Sequence, residues 1–252
     1  MNLQVATYNI HKGFSQFKRR MVLHELRDRL RESSADIVFL QEVQGAHSLH
    51  ARRYEDWPAA PQYEFLADTV WSEYAYGRNA VYDHGHHGNA ILSRYPIVAM
   101  ENQDISTHAF ERRGLLHCEI KLPGIDLKIH CLCVHLALHE HGRKQQVCAI
   151  IDRIRAMVPE DEPMIVAGDF NDWRNRVAHR LADELGMREA FRDHRGRSAR
   201  SFPSSLPIFR LDRIYVRGFN VQNTYVHHGH PWSKISDHAM LSAQLVTQTP
   251  GL

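Results

Sequence analysis

Polar residues stand repeatedly at the ends of short apolar runs in this chain. Asn9 follows QVATY, Glu42 follows DIVFLQ, His135 follows HCLCV, Asp169 follows MIVAG, and Asp212 precedes RIYV. A strand end is a rigid mount, so side chains placed there can converge on one point at the rim of a sheet. Taken singly, each fits a turn or cap position equally well. The densest local signal is Gly168-Asp169-Phe170-Asn171-Asp172. Glycine lets the backbone turn tightly after a strand. Asp169 can then steer or deprotonate a water, and Asn171 can offer a neutral amide to a developing negative charge. The bland alternative for this string is an Asx-type turn. A second signal, Ser236-Asp237-His238, pairs a hard oxygen donor with a histidine that titrates near neutral pH. The chain has 19 histidines, so any one of them is by default structural.

The elements that must position these groups follow from periodicity. A strand is expected over Gln4–Tyr8, and a helix with one buried stripe over Arg19–Arg31, with Leu23, Leu26 and Leu30 three and four residues apart. Ala35–Leu40, Asn89–Ser93, Leu127–His135, Met164–Ala167, Leu211–Val216 and Ala239–Leu245 read as strands, and His139–Gly142 as a loop. Val147, Ile150, Ile151, Ile154 and Val158 mark a second helix. Val177, Leu181 and Leu185 mark a third, with Gly186 placed to end it. Strands alternate with helices in places and pair as hairpins in others, which predicts an α/β sandwich with mixed sheets.

Composition sets the outer bounds. An apolar fraction of 43% and a charged fraction of 24% are ordinary for a globular chain with a sizeable core. Candidate site residues run from one end to the other, so one domain over residues 1–252 is expected. Net charge is only +2, but arginines concentrate between Arg188 and Arg217, a stretch able either to bind phosphates or simply to be solvated. Cys118, Cys131, Cys133 and Cys148 form no C-x-x-C pair and read as small apolar residues of a reducing compartment. The N-terminus has no secretory pattern and no run approaches the ~20 apolar residues of a membrane span. A cytoplasmic location is therefore expected.

The series TYN (7–9), QE (41–42), GNAILSRYPI (88–97), VHL (134–136), GDFN (168–171), RLDRIYV (210–216) and SDH (236–238) resembles the endonuclease/exonuclease/phosphatase superfamily, in that family's motif order. The resemblance implies a four-layer α/β/β/α sandwich with two mixed β-sheets, and hydrolysis of phosphate esters with Mg²⁺, for which Mn²⁺ can substitute. It implies metal-binding roles for Asn9, Glu42 and Asp237. Asp169 would orient or deprotonate the attacking water, Asn171 would hold the phosphate, and His238, oriented by Asp212, would stabilise the transition state. His135 would donate to the phosphate or leaving group. Asn89 and Arg113, or Arg112 in its place, would line the phosphate pocket.

The fit narrows in two places. Abasic-site endonucleases of the family usually carry Asn-x-Asp in the first motif, where this chain has Asn9-Ile10-His11, and the VHL motif belongs to other branches. The expected activity is a nuclease-like phosphodiesterase acting on nucleic acid. The alternative is a phosphodiesterase or phosphatase for a phospholipid head group or small ester, with Trp57, Trp71, Tyr74, Tyr76, Tyr82, Trp173 and Trp232 in access loops. A non-catalytic binding module is a minor alternative. A zinc hydrolase is disfavoured: His84/His86/His87 and His227/His228/His230 offer no H-E-x-x-H spacing and read as loops.

Overall fold

Burial alternates along the strands with a period of two, and that alternation decides the layering. The computed structural model describes residues 1–16, 20–123, 128–176 and 178–248. The first half of the chain runs β1 (Asn2–Asn9), α1 (Leu23–Glu32), β2 (Ile37–His47), α2 (Ser48–Arg53), α3 (Gln62–Ala67), β3 (Glu73–Tyr82), β4 (Gly85–Ser93), β5 (Ile97–Asp104) and β6 (Gly114–Lys121). The second half runs β7 (Lys128–His135), α4 (Glu140–Met157), β8 (Met164–Asp169), α5 (His179–Leu185), β9 (Arg188–Glu189), α6 (Ala190–Arg195), β10 (Asp212–Arg217), β11 (Phe219–His227) and β12 (Met240–Thr247).

These strands form two six-stranded sheets, in the orders β11-β12-β1-β2-β4-β3 and β5-β6-β7-β8-β10-β9. Each is mixed: β1 and β2 are parallel in the first, β7 and β8 in the second, and the other neighbours are antiparallel. Leu3, Val5, Ile37, Phe39 and Ile91 of the first sheet meet Cys131, Cys133, Ile165, Ala167 and Ile214 of the second in one core between the sheets. The intervening residues face outward. Ala6, Tyr8, Val38 and Leu40 pack under α1 and α3, while Leu132, Val134, Met164 and Val166 pack under α4 and α5. The fold is the expected four-layer α/β/β/α sandwich. Fully burying each such aliphatic side chain stabilises it by roughly 1.5–3 kcal/mol.

Several boundaries differ from the sequence expectation for identifiable reasons. Strand β2 runs on to His47, through a register shift between Leu40 and Val43. Helix α4 starts at Glu140, so His139–Gly142 is not a free loop. Its first turn is pinned by Arg143, whose Nη1 donates to the carbonyls of Ala137 and Leu138 at 3.0 and 2.5 Å. His86 and His87 lie on β4 and His227 on β11, so those histidine groups are partly strand. Trp71 is core, its indole donating to Ala35 O at 3.0 Å, and Cys148 is exposed. Arg19, Leu127 and Val177, each the first residue of an expected element, lie outside the described residues.

Candidate active site

At one end of the inter-sheet core the inward row turns polar. Continuing the period of two from Leu3 and Val5 on β1 leads to Thr7 and then Asn9. On β7, Cys131 and Cys133 lead to His135. On β8, Ile165 and Ala167 lead to Asp169, and on β10, Val216 and Ile214 lead to Asp212. Register aligns them, because Asp169 is the direct partner of both His135 and Asp212. Just beneath lies an intermediate layer, where Gln41 Nε2 donates to Thr7 Oγ1 at 3.2 Å and to Cys133 Sγ at 3.3 Å.

Glu42 reaches the same end by a backbone device. It sits in the β2 register shift with φ +57°, a left-handed conformation costing a non-glycine residue about 1–3 kcal/mol. That turn brings its Oε1 within 3.4 Å of Asn9 Nδ2. Asn171 is also left-handed (φ +49°), its backbone N–H donating to Asp169 Oδ1 at 2.9 Å.

Asp169 Oδ2 is the meeting point. Asn9 Nδ2 donates to it at 3.1 Å, and Nε2 of His135 and of His238 lie 3.5 and 3.7 Å away. Behind His238, Nδ1 donates to Asp212 Oδ2 at 2.8 Å, which fixes the ring with Nε2 toward Asp169. Asp212 is completely buried, and its second oxygen has no hydrogen-bond partner among the described residues. Burial raises the Asp169 carboxyl to about 6, with Asp212 adding to the rise against the opposing His238 charge. For His238 burial opposes the charge, but Asp212 and Asp169 outweigh it and lift the imidazole to about 10. Burial, helped by Arg113, drives His135 well below its ordinary value. The site thus holds one cationic and one neutral imidazole around a single carboxylate.

Glu42 lies beside Asn9, and Asp237 stands on the segment held against the same end of β1. Ser236 Oγ donates to Asn9 O at 2.7 Å, tying the Asp237 segment to the end of β1. His11 sits between them: its N–H donates to Asn9 Oδ1 at 3.1 Å, and Nδ1 lies 3.8 Å from Asp237 Oδ1. Two carboxylates and an amide suit a hard divalent ion such as Mg²⁺. Ligand atoms of Asp169, Asp212 and His238 also lie within 4.8 Å of one another. Those three we read as a hydrogen-bonded chain, because His238 Nδ1 already donates to Asp212 Oδ2 at 2.8 Å.

Leu136 O joins the remaining groups, accepting from Asn171 Nδ2 at 2.9 Å and from Arg113 Nε at 3.2 Å. Arg113 also pairs with Glu111 at 3.0 Å, whereas Arg112 is exposed and 3.7 Å from Asp104. Asn89 is buried behind the site, its Nδ2 donating to Gly114 O and Cys133 O at 3.0 and 3.3 Å, so its amide ties the two sheets together. Two further residues stand here: His87, which the sequence reading sets aside in a histidine loop, and Lys12, which it does not name. His87 continues the inward row two positions before Asn89, and burial followed by Lys12 lowers it to about 4. Lys12, at φ +58° in the turn after Asn9, also acts on His135. Extending the β4 periodicity backwards finds His87; nothing in the sequence points to Lys12.

The arginine stretch is only partly spent within the fold, and Arg192, Arg197 and Arg200 are exposed. Arg188 bonds Phe219 O and Asp193, Arg195 bonds Thr224, and Arg210 bonds Ser198 O. Arg213 is buried against Asp172 O, and Arg217 caps the carbonyls of Pro159 and Glu162.

With this fold and cluster in place, the family is clear: residues 6–238 match the Endonuclease/Exonuclease/phosphatase family, and the chain belongs to it. Among its relatives is the uncharacterized protein YbhP of Escherichia coli (strain K12), 50% identical over 244 residues, which are 97% of this chain and 96% of YbhP. Solved structures with the same fold include D. rerio TDP2 complexed with a single-strand DNA product. It has a TM-score of 0.70 and 17% identity, covering 98% of this chain and 99% of that one. The mannosyl-6-phosphatase Bt3783 of Bacteroides thetaiotaomicron has a TM-score of 0.71 and 18% identity, covering 97% and 99%.

Proposed function

We propose that this chain hydrolyses phosphodiesters with the help of a divalent cation, Mg²⁺ or Mn²⁺. The observation that carries the reading is the convergence of Asn9, His135 and His238 on one oxygen of Asp169, with Asp212 fixing His238 from behind. Asp169 orients and deprotonates the attacking water at Oδ2. The Asn171 side chain contributes its amide to a phosphate oxygen. His238, held cationic by two carboxylates, stabilises the added negative charge of the five-coordinate transition state. His135, kept neutral, donates a hydrogen bond from Nε2 to a phosphate or leaving-group oxygen. Glu42, Asp237 and Asn9 would hold the cation, which when bound polarises the phosphate and offsets charge on the leaving oxygen.

The family spans nucleases and phosphatases, so ester type has to come from the site. Arg113 is already committed to Glu111 and Leu136 O, which leaves few free cations for a doubly charged monoester. That supports a singly charged diester. Bonding of Arg188, Arg195, Arg210, Arg213 and Arg217 within the fold weakens the support for a nucleic-acid substrate, although Arg192, Arg197 and Arg200 stay exposed. Calorimetric titration with Mg²⁺ tests the cation site apart from turnover. Binding is expected in wild type and in Asp169→Ala, and absent in Glu42→Gln; equal binding by Glu42→Gln would refute the assignment.

A further inference from the structure

We propose that the catalytic end of the molecule docks on the surface of an anionic phospholipid bilayer, so that the diester it reaches is a headgroup phosphate. The substrate part of this inference rests on the phosphodiesterase reading; the docking part does not.

The strand register places four loops at one end. Asp104 pairs with Gly114, Leu115 with Val134, His135 with Asp169, and Asp169 with Asp212. Residues 105–113, 136–139, 170–176 and 196–211 therefore all leave the second sheet from the end that bears Asp169. Each loop carries a large apolar side chain into solvent: Phe110 is 94% exposed, Leu138 66%, Trp173 45% and Leu206 69%. Such a concentration of apolar residues around one mouth is unusual for a surface facing only water. At the opposite end, the turn before β8 carries Glu160, Asp161 and Glu162 instead.

The loops are tied to one another and to the catalytic groups. Leu138 N–H donates to Glu111 Oε1 at 3.1 Å, and Arg176 pairs with Glu140 at 3.1 Å. Trp173 packs edge-on against Phe209 at 5.6 Å, and Phe202, which bridges to Phe209, lies 5.1 Å from the His238 ring. An open cleft of about 1030 Å³ beside the site is lined by Phe110 and Leu138 together with Arg113 and His87.

Charge selects the occupant. Arg174, Arg197 and Arg200 are exposed on these loops beside Arg112 and Arg176, which pair with Asp104 and Glu140, and the Arg174 guanidinium lies 4.3 Å over the Trp173 ring. Apolar prongs on separate loops that also carry exposed guanidinium groups match a layered partner. The tips enter the boundary of head groups and acyl chains while the arginines stay level with the phosphates.

Cosedimentation of the full chain with vesicles tests the proposal, comparing phosphatidylcholine alone with phosphatidylcholine plus phosphatidylglycerol. Wild type should partition onto the anionic vesicles at least ~10-fold more strongly than onto the neutral ones, and release with salt. The double variant Phe110→Ser/Leu206→Ser should lose at least ~10-fold of that binding while keeping turnover of bis-p-nitrophenyl phosphate, which shows it folded. Asp169→Ala should bind vesicles as wild type does, so that failure of docking and failure of chemistry are read separately. Wild type left in the supernatant with anionic vesicles, or a double variant that sediments like wild type, overturns the proposal.

Discussion

On the proposed reading, Asp169 and His238 carry most of the chemistry at the residue scale, and activity is expected to fail in different ways when each is removed. Asp169→Ala leaves the water unpositioned and Asn9, His135 and His238 without their common acceptor. His238→Ala removes the fixed cation and leaves Asp212 buried without its partner. Each is expected to lose at least ~10² in kcat on a soluble phosphodiester, the usual scale for a positioned acid–base or charge-stabilising group. Asp212→Asn keeps the shape but not the charge, so kcat should fall about 10-fold or more with little change in KM. A KM effect alone would make Asp212 a substrate contact. Most of these residues were legible, because each ends an apolar strand within a recognisable motif. Glu42 was legible as a motif residue but not in how it reaches the site, since its left-handed backbone arises from pairing between β2 and β4. Lys12 was invisible for the same reason: a turn set by Gly13 and tertiary packing aims it.

At the scale of elements, the join between β7 and β8 holds the site together. Gly168 has φ +150°, and a Cβ there would come within 1.9 Å of Val134 O, a backbone atom that cannot move without breaking the pairing of His135 with Asp169. Gly168→Ala is therefore expected to cost ~3 kcal/mol of stability and to lose activity at temperatures where it remains folded. A urea unfolding midpoint matching wild type would contradict that placement. Central strands such as β1, β7 and β8 were readable because both faces are filled with apolar residues. The edge strands β3 and β5 were not: they are largely exposed, so no alternation marks them. β6 is buried on both faces but interrupted by His117 and Glu119, which hid its strand character.

For the whole molecule, His117 makes folding pH-dependent away from the site. It lies under the helical layer with Nε2 2.8 Å from His130 Nδ1, and His130 Nε2 is 2.5 Å from Glu162 Oε2. Burial, reinforced by His130, lowers His117 to about 4, so the folded state keeps it neutral while the unfolded chain takes up a proton near 6.5. The unfolded state binds more protons in that window. Stability from this group is then complete above about pH 6.5 and lost as pH falls toward about 4, by at most ~3 kcal/mol. Chemical denaturation at pH 7.5 and pH 5 should show a smaller loss for His117→Gln than for wild type; parallel losses would remove His117 from that role.

No helix among the described residues is long and apolar enough to cross a membrane, and the proposed lipid contact is made by the loops around the site. On that proposal the same loops decide what reaches Asp169, while the strand ends decide what happens to it. Hydrolysis of bis-p-nitrophenyl phosphate beside p-nitrophenyl phosphate, with Mg²⁺, Mn²⁺ or chelator, for wild type and Asp169→Ala, tests the chemistry most directly. Diester cleavage that needs the cation, exceeds monoester cleavage and falls at least ~10²-fold in Asp169→Ala is the predicted result. Cleavage that survives the substitution or the chelator, or that is confined to the monoester, would contradict a phosphodiesterase built on Asp169.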